Sequence, residues 1–471
     1  MRPAHPTDEL ARTLGRSAVL RAGRDDTTRY ATPARGPAGV EVDVVRPAST
    51  DEVRHVVRWA RHHRVRLIPQ GANSGLVGAS TPPGASAHDG DLVVLSTERL
   101  RGGLRIDPAD RTAVAPAGLR LSELNLAAAE HGLWFPIDLG SDPSVGGMIA
   151  TDTGGARMLR HGDVRRNTLG VEVVLADEDA SVVDTLRTYR KRNEGMDPTG
   201  LFVGSSGAFG VVTRAALDLS VRPAETAAAW IPLDGPSDAV VLLGHLEARL
   251  DPLLSAYEVV SAAALDAAAT AGRPLALRPA PWAALVEVAG PAGCGELLVS
   301  AASTAPVDTS GALVLPPARA WAVRHAVTEG LARSGHVIGH DVAVPRAALP
   351  DLVTRATAAI GGRWPRATVA DFGHWGDGGV HLNVVFPHGD PVDEALVDEV
   401  HDLVFALAVD EFGGTFSAEH GVGPANAAWW RRTAPDAVVT LVGAMRAACD
   451  PLDLLGHPGL PYPRAGRGLS G

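Results

Sequence analysis

The chain has almost no lysine: Lys191 is the only one in 471 residues. An anionic ligand must therefore be held by arginine, histidine, backbone N–H groups or a metal ion. The formal net charge is −11, which argues against a nucleic-acid partner. Cysteine is also scarce. Cys294 and Cys449 lie far apart in sequence and cannot make a disulfide framework, although a single bridge stays open; this fits a reducing compartment. No apolar run approaches about 18 residues, so no membrane-spanning helix is expected. The first twenty residues carry Asp8, Glu9, Arg12 and Arg16 and no continuous apolar core. No signal peptide is expected there, and the expected location is cytoplasmic. The length allows two or three domains and a large core.

What is present reads first as an α/β pattern. Residues 1–35 are polar and look like a loose lead-in. A short strand follows at Val42–Arg46, then a capping box in Ser49-Thr-Asp-Glu52. Val53, Val56, Val57 and Ala60 recur at helical spacing. The strand Val65–Ile68 runs into the glycine-containing loop Pro69–Gly78. Further strands are expected at Leu92–Leu95, Thr112–Ala115, Leu169–Leu175, Val182–Leu186 and Val211–Arg214, with a helix at Leu121–His131. A second glycine-rich block spans Asp138–Gly155 and a third Gly204–Gly210. Ala-rich helical segments interleaved with strands fill much of 236–300, and a domain boundary is expected near 222–226. The expected domains are 36–223 and 224–460, followed by a flexible tail from 461.

Glycine lets backbone approach a ligand closely and present its N–H groups. For Gly71-Ala-Asn-Ser-Gly75 a phosphate cradle and an ordinary tight turn compete. None of the three blocks is a Walker loop or a convincing dinucleotide fingerprint. Three in one region favour a large phosphate-bearing cofactor lying along the backbone.

The segment Phe372–Asn383 places His374 and His381 symmetrically about Asp377-Gly378. A two-residue type I′ turn there would put the histidines directly opposite one another, with Cβ atoms roughly 4.5–5.5 Å apart. Asn383 would share their face. Such a pair can be polar residues beside a turn or two ligands of one metal ion. Later in the chain Glu419-His420 sits among glycines. It can be a strand end with exposed charges; in the functional reading Glu419 completes the metal shell and leaves a position open, and His420 serves as general base. Arg324 and Thr328 share a helix face. That face can simply be solvated, or Arg324 can clamp a substrate carboxylate.

These motifs, in this order, resemble the FAD-dependent D-2-hydroxyacid dehydrogenases of the vanillyl-alcohol-oxidase/PCMH flavoproteins, over about residues 40–460. The resemblance is carried by Pro69–Ala79, by Val145-Gly-Gly-Met-Ile-Ala-Thr-Asp-Thr-Gly-Gly155, by Arg160–Asp177, by Phe202–Gly210, by Gly373–Asn383 and by Ser417–Gly423. It implies an α+β fold: a PCMH-type FAD-binding domain of two α/β subdomains, then a substrate domain built on an antiparallel sheet with flanking helices. It implies FAD held by Pro69, Gln70, Gly71, Ala72, Asn73, Ser74, Gly75, Gly78, Ala79 and Ser80 in the first block. In the second block the expected contacts are Gly146, Gly147, Thr151, Thr153, Gly154 and Gly155, and in the third Gly207, Gly210 and Val211. Asn73 stands where covalent relatives often carry histidine, so the flavin is expected to be non-covalent. Zinc or a similar divalent ion is implied on His374, His381 and Glu419. His420 would take the hydroxyl proton of a 2-hydroxyacid while hydride passes to flavin N5, with Arg324, Thr328 and Asn383 orienting the acid.

Several positions depart from the family pattern. Asp152 replaces an asparagine, Ser206 a glutamate, Ala208 a threonine, Gly379 an asparagine, and His457 the asparagine of a C-terminal Asn-Pro-Gly. Asn426 falls where many relatives have lysine. Gly339 aligns with a lysine used for the distal carboxylate of D-2-hydroxyglutarate, which points to D-lactate or another monocarboxylic acid. A non-catalytic flavin-binding subunit and a metallohydrolase are the competing readings. The electron acceptor stays open among quinone, cytochrome, electron-transfer flavoprotein and oxygen. Oligomeric state stays open too, a homodimer being one option.

Overall fold

A computed structural model describes residues 6–84 and 91–463. It comprises two compact units. The first takes in the described residues of Met1–Thr153, Asp163–Arg222 and Glu419–Gly471; the second takes in Gly154–Gly162 and Pro223–Ala418.

The first unit contains two main sheets. One has four strands in the order Val19–Leu20, Asp43–Val45, Leu92–Ser96, Arg66–Gln70. The last three are parallel, so the connection between Asp43–Val45 and Arg66–Gln70 needs a crossover. The helix Thr50–His63 supplies it. Ser49 caps that helix by accepting from Glu52 N, and Val53, Val56, Val57 and Ala60 form its buried face. Glu52 reaches back to Ala48 N at 2.8 Å. The other sheet is antiparallel, ordered Arg105–Asp107, Thr112–Pro116, Val211–Asp218, Thr168–Val174, Val182–Asp184. One apolar core serves both.

Two segments differ from the expected division of the chain. The lead-in is packed rather than loose. Leu10 is fully buried, and Val19 and Leu20 pair with Val45 and Val44. At the other end, the chain beyond Glu419 packs with the first unit because residues 454–456 run beside the strand Arg66–Gln70. Leu67 N donates to Leu454 O, and Gly456 N donates to Leu67 O. The buried Arg446 fixes this return, reaching Ala208 O at 3.1 Å and Leu455 O at 2.9 Å. Of the tail expected from 461, residues 464–471 lie outside the described residues.

The second unit is built on a seven-stranded antiparallel sheet. Its order is Leu313–Leu315, Glu225–Leu233, Trp282–Gly290, Leu254–Ser261, Thr368–Gly373, Gly379–Pro387, Gly335–Ala343. The central strands are buried along nearly their whole length, as expected for a sheet covered on both faces. The helices Ala262–Thr270 and Pro317–Ser334 cover one face, packing on Ala256, Val260, Leu285 and Phe372. They approach so closely that a Cβ on Gly330 would sit 1.8 Å from Ala267 O. Helices Pro236–Leu250, Cys294–Ser303 and Leu349–Arg363 also pack on this sheet. Tyr257, whose side chain alternates with that of Glu258, donates to Ala239 O at 2.7 Å.

Candidate active site

The register of the last two hairpin strands decides where the histidines go. Phe372, not His374, lies opposite His381, and Asp371 lies opposite Leu382. The expected two-residue Asp377-Gly378 turn is replaced by a longer loop. His374 O accepts from both Asp377 N and Gly379 N at 3.1 Å, and of residues 374–377 none takes the positive φ that a type I′ turn needs. Tertiary contacts override the local turn signal. Trp375 is drawn into the core at 1% exposure. Gly376 N donates to Tyr257 O at 3.1 Å, and a Cβ on Gly376 would lie 3.0 Å from Leu159 and 3.2 Å from Tyr257.

The two imidazoles still meet. Phe372 and His374 both reach the His381 ring, and a diagonal cross-strand neighbour is within reach of a large side chain. The rings pack edge to face with centroids 5.3 Å apart, and each offers a nitrogen within 4.8 Å of the other's. Two imidazoles at that separation suit a borderline divalent ion such as zinc, so the donor chemistry fits the implied metal.

Each histidine is backed by a carboxylate that the sequence reading did not single out. Glu258 Oε1 meets His374 Nδ1. Asp341 lies directly opposite His381 across the sheet, with Oδ1 3.5 Å from its Nδ1. Burial would raise the Glu258 carboxyl, but Arg324 and His374 beside it outweigh that and hold it below the usual carboxylate range. A single glutamate in the otherwise uncharged run Leu254–Ser261 was the available signal, since a buried charge must be paired.

Arg324 is 7% exposed. Its Nε engages Glu258, and its guanidinium lies 4.3 Å from the centroid of Phe372. Thr328, one turn on, is exposed. Asn383 is buried; its amide donates to Ala370 O and to His381 O, both at 3.2 Å. Gly339 stands opposite Asn383 in the ladder. Ala418 N donates to Asp341 O at 3.0 Å. Glu419 and His420 follow it directly in the chain and are half-buried.

A second carboxylate, Glu287, is also fully buried in the same sheet. Arg157 binds it in bidentate fashion, Nε to Oε1 at 2.8 Å and Nη2 to Oε2 at 3.0 Å. Trp321 Nε1 and Ser255 Oγ each donate to it at 2.7 Å. Trp321 and Arg324 thus hang one helix on two buried carboxylates. Arg157 follows Gly154 and Gly155, two expected cofactor glycines that pack with this unit.

In the first unit the three glycine-rich blocks converge. A Cβ on Gly71 would lie 2.3 Å from Ser144 Oγ and 3.4 Å from Gly147 Cα. Ser144 caps the helix Val145–Thr151 by accepting from Gly147 N. Gly207, at φ +74°, packs on Pro69, to which a Cβ would come within 3.2 Å. Ser206 N donates to Ala150 O at 2.7 Å. Gly146 lies against Ala117 and Gly210 against Val173 so tightly that neither has room for a side chain, and Val211 begins the strand beside Val174. Gln70 donates to Tyr30 O and Ser80 O. Asn73 donates to Arg29 O and Thr32 O and accepts from Ser80 and Thr81, which ties the first loop into a fixed shape. Ala72, Ser74, Gly78 and Ala79 are half-buried along it and Gly75 is exposed. Thr151 and Thr153 share a hydrogen bond at 2.7 Å. A Cβ on Gly423 would lie 2.4 Å from Val77 O, so the loop after His420 also packs here. The geometry is a backbone-lined floor with few side chains, suited to a large cofactor with phosphates.

Asp152 closes the helix Val145–Thr151 in the left-handed region, at φ 54°, where asparagine or aspartate is tolerated better than most residues. Its carboxylate bonds Arg165, 2.7 Å from Nε. Burial and the nearby Asp163 nevertheless push its carboxyl up.

Residues 43–184 match the family described as FAD binding domain, and residues 222–458 match the C-terminal domain of FAD linked oxidases. A bovine protein named mitochondrial D-2-hydroxyglutarate dehydrogenase is 32% identical over 424 residues, 88% of this chain and 75% of its own. The chain belongs to the FAD-dependent D-2-hydroxyacid dehydrogenase family. A protein named D-2-hydroxyglutarate dehydrogenase from Xanthomonas citri pv. viticola is likewise 32% identical, covering 93% of this chain and 91% of that one. Among solved structures, 4-ethylphenol oxidase from Gulosibacter chungangensis superposes with a TM-score of 0.73 at 21% identity, over 98% of this chain and 97% of its own. An alkyldihydroxyacetonephosphate synthase does so with a TM-score of 0.71 at 16% identity, over 95% and 83%. The likeness to these two is one of fold. The chain is an FAD-dependent oxidoreductase acting on a CH–OH group, with the mixed PCMH-type architecture expected. Among the described residues no helix is long and apolar enough to cross a membrane.

Proposed function

We propose that this flavoenzyme oxidises a monocarboxylic D-2-hydroxyacid, of the size of D-lactate, to the 2-oxoacid with the help of a divalent metal ion. The observation that carries the reading is the pair of carboxylate-backed imidazoles on the substrate-domain sheet. When bound, non-covalent FAD supplies the hydride acceptor and the metal ion lowers the pKa of the substrate hydroxyl. His374, His381 and Glu419 hold the ion. His420 would accept the hydroxyl proton as hydride leaves the carbon that bears the hydroxyl, so two electrons and one proton leave with the hydride and the second proton stays on the imidazole. Arg324 meets the substrate carboxylate, Asn383 fixes the position of the acid beside the histidines, and Thr328 lies one turn along the helix that carries Arg324. The floor formed by the three glycine-rich blocks would hold FAD. The Asn73 amide is no nucleophile and is already engaged with the carbonyls of Arg29 and Thr32, in keeping with flavin held by contacts alone.

The substrate class rests on Gly339. It offers no side chain beside Asn383, and no lysine occurs anywhere in residues 223–471. A second reading, D-2-hydroxyglutarate, is favoured by the printed names of the relatives at 32% identity. An anaerobic screen of D- and L-2-hydroxyacids decides between them. Bleaching of the oxidised flavin's visible absorption by D-lactate but weakly by D-2-hydroxyglutarate supports the first. Strong preference for D-2-hydroxyglutarate would replace it with the second, and no bleaching by any 2-hydroxyacid would remove both.

A further inference from the structure

Glu258 occupies an unusual place in the sheet. It is fully buried, in a strand whose eight residues are all buried. Removing a carboxylate from water costs several kcal/mol unless it is well paired, and one arginine would be enough to pair it. Glu258 has two partners instead. Oε2 meets Arg324 Nε and Oε1 meets His374 Nδ1. The carboxylate spans two elements distant in sequence, the helix Pro317–Ser334 and the loop that starts at His374.

We propose that Glu258 is a positioning residue that fixes two working groups at once, His374 as a metal ligand and Arg324 as the clamp for the substrate carboxylate. The inference rests on the metal-dependent reading given above. For His374 the argument is geometric. His374 turns Nδ1 to the Glu258 carboxylate, which leaves Nε2, on the other side of the imidazole, for a metal ion, and metal-binding histidines generally set their second nitrogen against a carboxylate in this way. Asp341 Oδ1 lies 3.5 Å from His381 Nδ1, a looser pairing of Nδ1 with a carboxylate. For Arg324, contact through Nε leaves the Nη1/Nη2 edge for a bidentate carboxylate. Phe372 beneath the guanidinium, 4.3 Å from its centroid, fixes the plane of that fork.

Glu287 provides the internal control. It is equally buried, on the neighbouring strand of the same sheet, and equally paired with an arginine, but its partners are Arg157, Trp321 and Ser255 and no histidine. The experiment measures Zn²⁺ affinity by equilibrium dialysis of chelator-treated, FAD-loaded protein, alongside flavin content and the thermal midpoint. Glu258→Gln is expected to weaken Zn²⁺ binding by about 10–100-fold, the range for loss of such a partner, while FAD stays bound. Its KM for D-lactate is expected to rise. Glu287→Gln is expected to bind Zn²⁺ like the wild type. Should Glu258→Gln not fold, Glu258→Leu combined with Arg324→Met replaces the ion pair with an apolar pair of similar volume, a change that buried ion pairs often tolerate; the same loss of Zn²⁺ affinity is expected. Zn²⁺ affinity within twofold of wild type in a folded Glu258 variant, or an equal loss in Glu287→Gln, overturns the proposal. A wild-type protein that binds no Zn²⁺ would instead sink the metal-dependent reading, and the role of Glu258 with it.

Discussion

His374 and His381 meet edge to face at 5.3 Å, although the strand register sets His381 opposite Phe372. The contact is diagonal, and it exists because the loop after Gly373 is held from outside the hairpin. Gly376 is the hinge of that arrangement. Gly376→Ala is expected to press on Leu159 and Tyr257 and to cost about 1–3 kcal/mol, as overpacking does. It should also weaken metal binding, because His374 moves with the loop. Urea denaturation and Zn²⁺ dialysis check both effects; unchanged stability and affinity would mean that the loop does not set the histidine.

His457 lies buried near Arg66, and burial with that positive neighbour pushes its imidazole down to about 4. Its Nδ1 accepts from Gly459 N at 2.8 Å, a bond that protonation at Nδ1 would remove. The unfolded chain takes up this proton at about pH 6.5, so between about pH 6.5 and 4 the unfolded state binds more protons and stability drops as the pH is lowered. The expected loss is on the order of 2–3 kcal/mol across that window. His457→Asn should flatten that part of the profile in urea melts at pH 7 and pH 4.5. A variant with the same acid sensitivity as wild type would assign the loss to another group.

The first glycine-rich loop has no space for a side chain at its start. Gly71→Ala would place a methyl group against Ser144, which caps the helix Val145–Thr151. Disturbing that cap costs about 1 kcal/mol, and the loop moves from the flavin floor. The expected outcome is a folded protein with FAD affinity reduced about tenfold or more, read by flavin release on dilution. Wild-type affinity would mean that the floor does not hold the cofactor.

Much of this was legible in the sequence for definite reasons. The helix Thr50–His63 was visible because Ser49 and Glu52 flag its start and Val53, Val56, Val57 and Ala60 its buried stripe. The glycine-rich blocks were visible because tight packing at Gly71 and Gly146 and a positive φ at Gly207 favour glycine. The hairpin turn was misread because Asp377-Gly378 is a strong local signal, while what decides the loop is Tyr257 and Leu159, about 120 and 220 residues upstream. The roles of Glu258 and Glu287 were not legible in their partners, since Arg324, His374, Arg157 and Trp321 come from three other segments. Their oddity was legible: each is the lone charge in its strand. The return of residues 454–456 to the first sheet left no local mark at all.

Gly339 allows a gain-of-function test of substrate class. Gly339→Lys places an ammonium on the row of Asn383. A hydrogen bond to a charged group contributes about 1.5–3 kcal/mol, so kcat/KM for D-2-hydroxyglutarate relative to D-lactate is expected to rise about 10- to 100-fold. An unchanged ratio would place the distal end of the substrate elsewhere.

His420→Ala is expected to slow flavin reduction by about 10²–10⁴-fold, the usual contribution of a positioned base, while FAD and Zn²⁺ remain bound. Rapid-mixing reduction at saturating D-lactate reads this directly. An unchanged rate would remove His420 as the base.

The most direct test of the account is the reductive half-reaction of the wild-type protein with and without its metal. FAD-loaded protein, stripped by chelation and dialysis and verified metal-free, is mixed anaerobically with D-lactate, and the flavin band is followed before and after Zn²⁺ or Mn²⁺ is restored. The account predicts that bleaching nearly stops in the stripped protein and returns with the ion. Full-rate bleaching in the verified metal-free protein would contradict it.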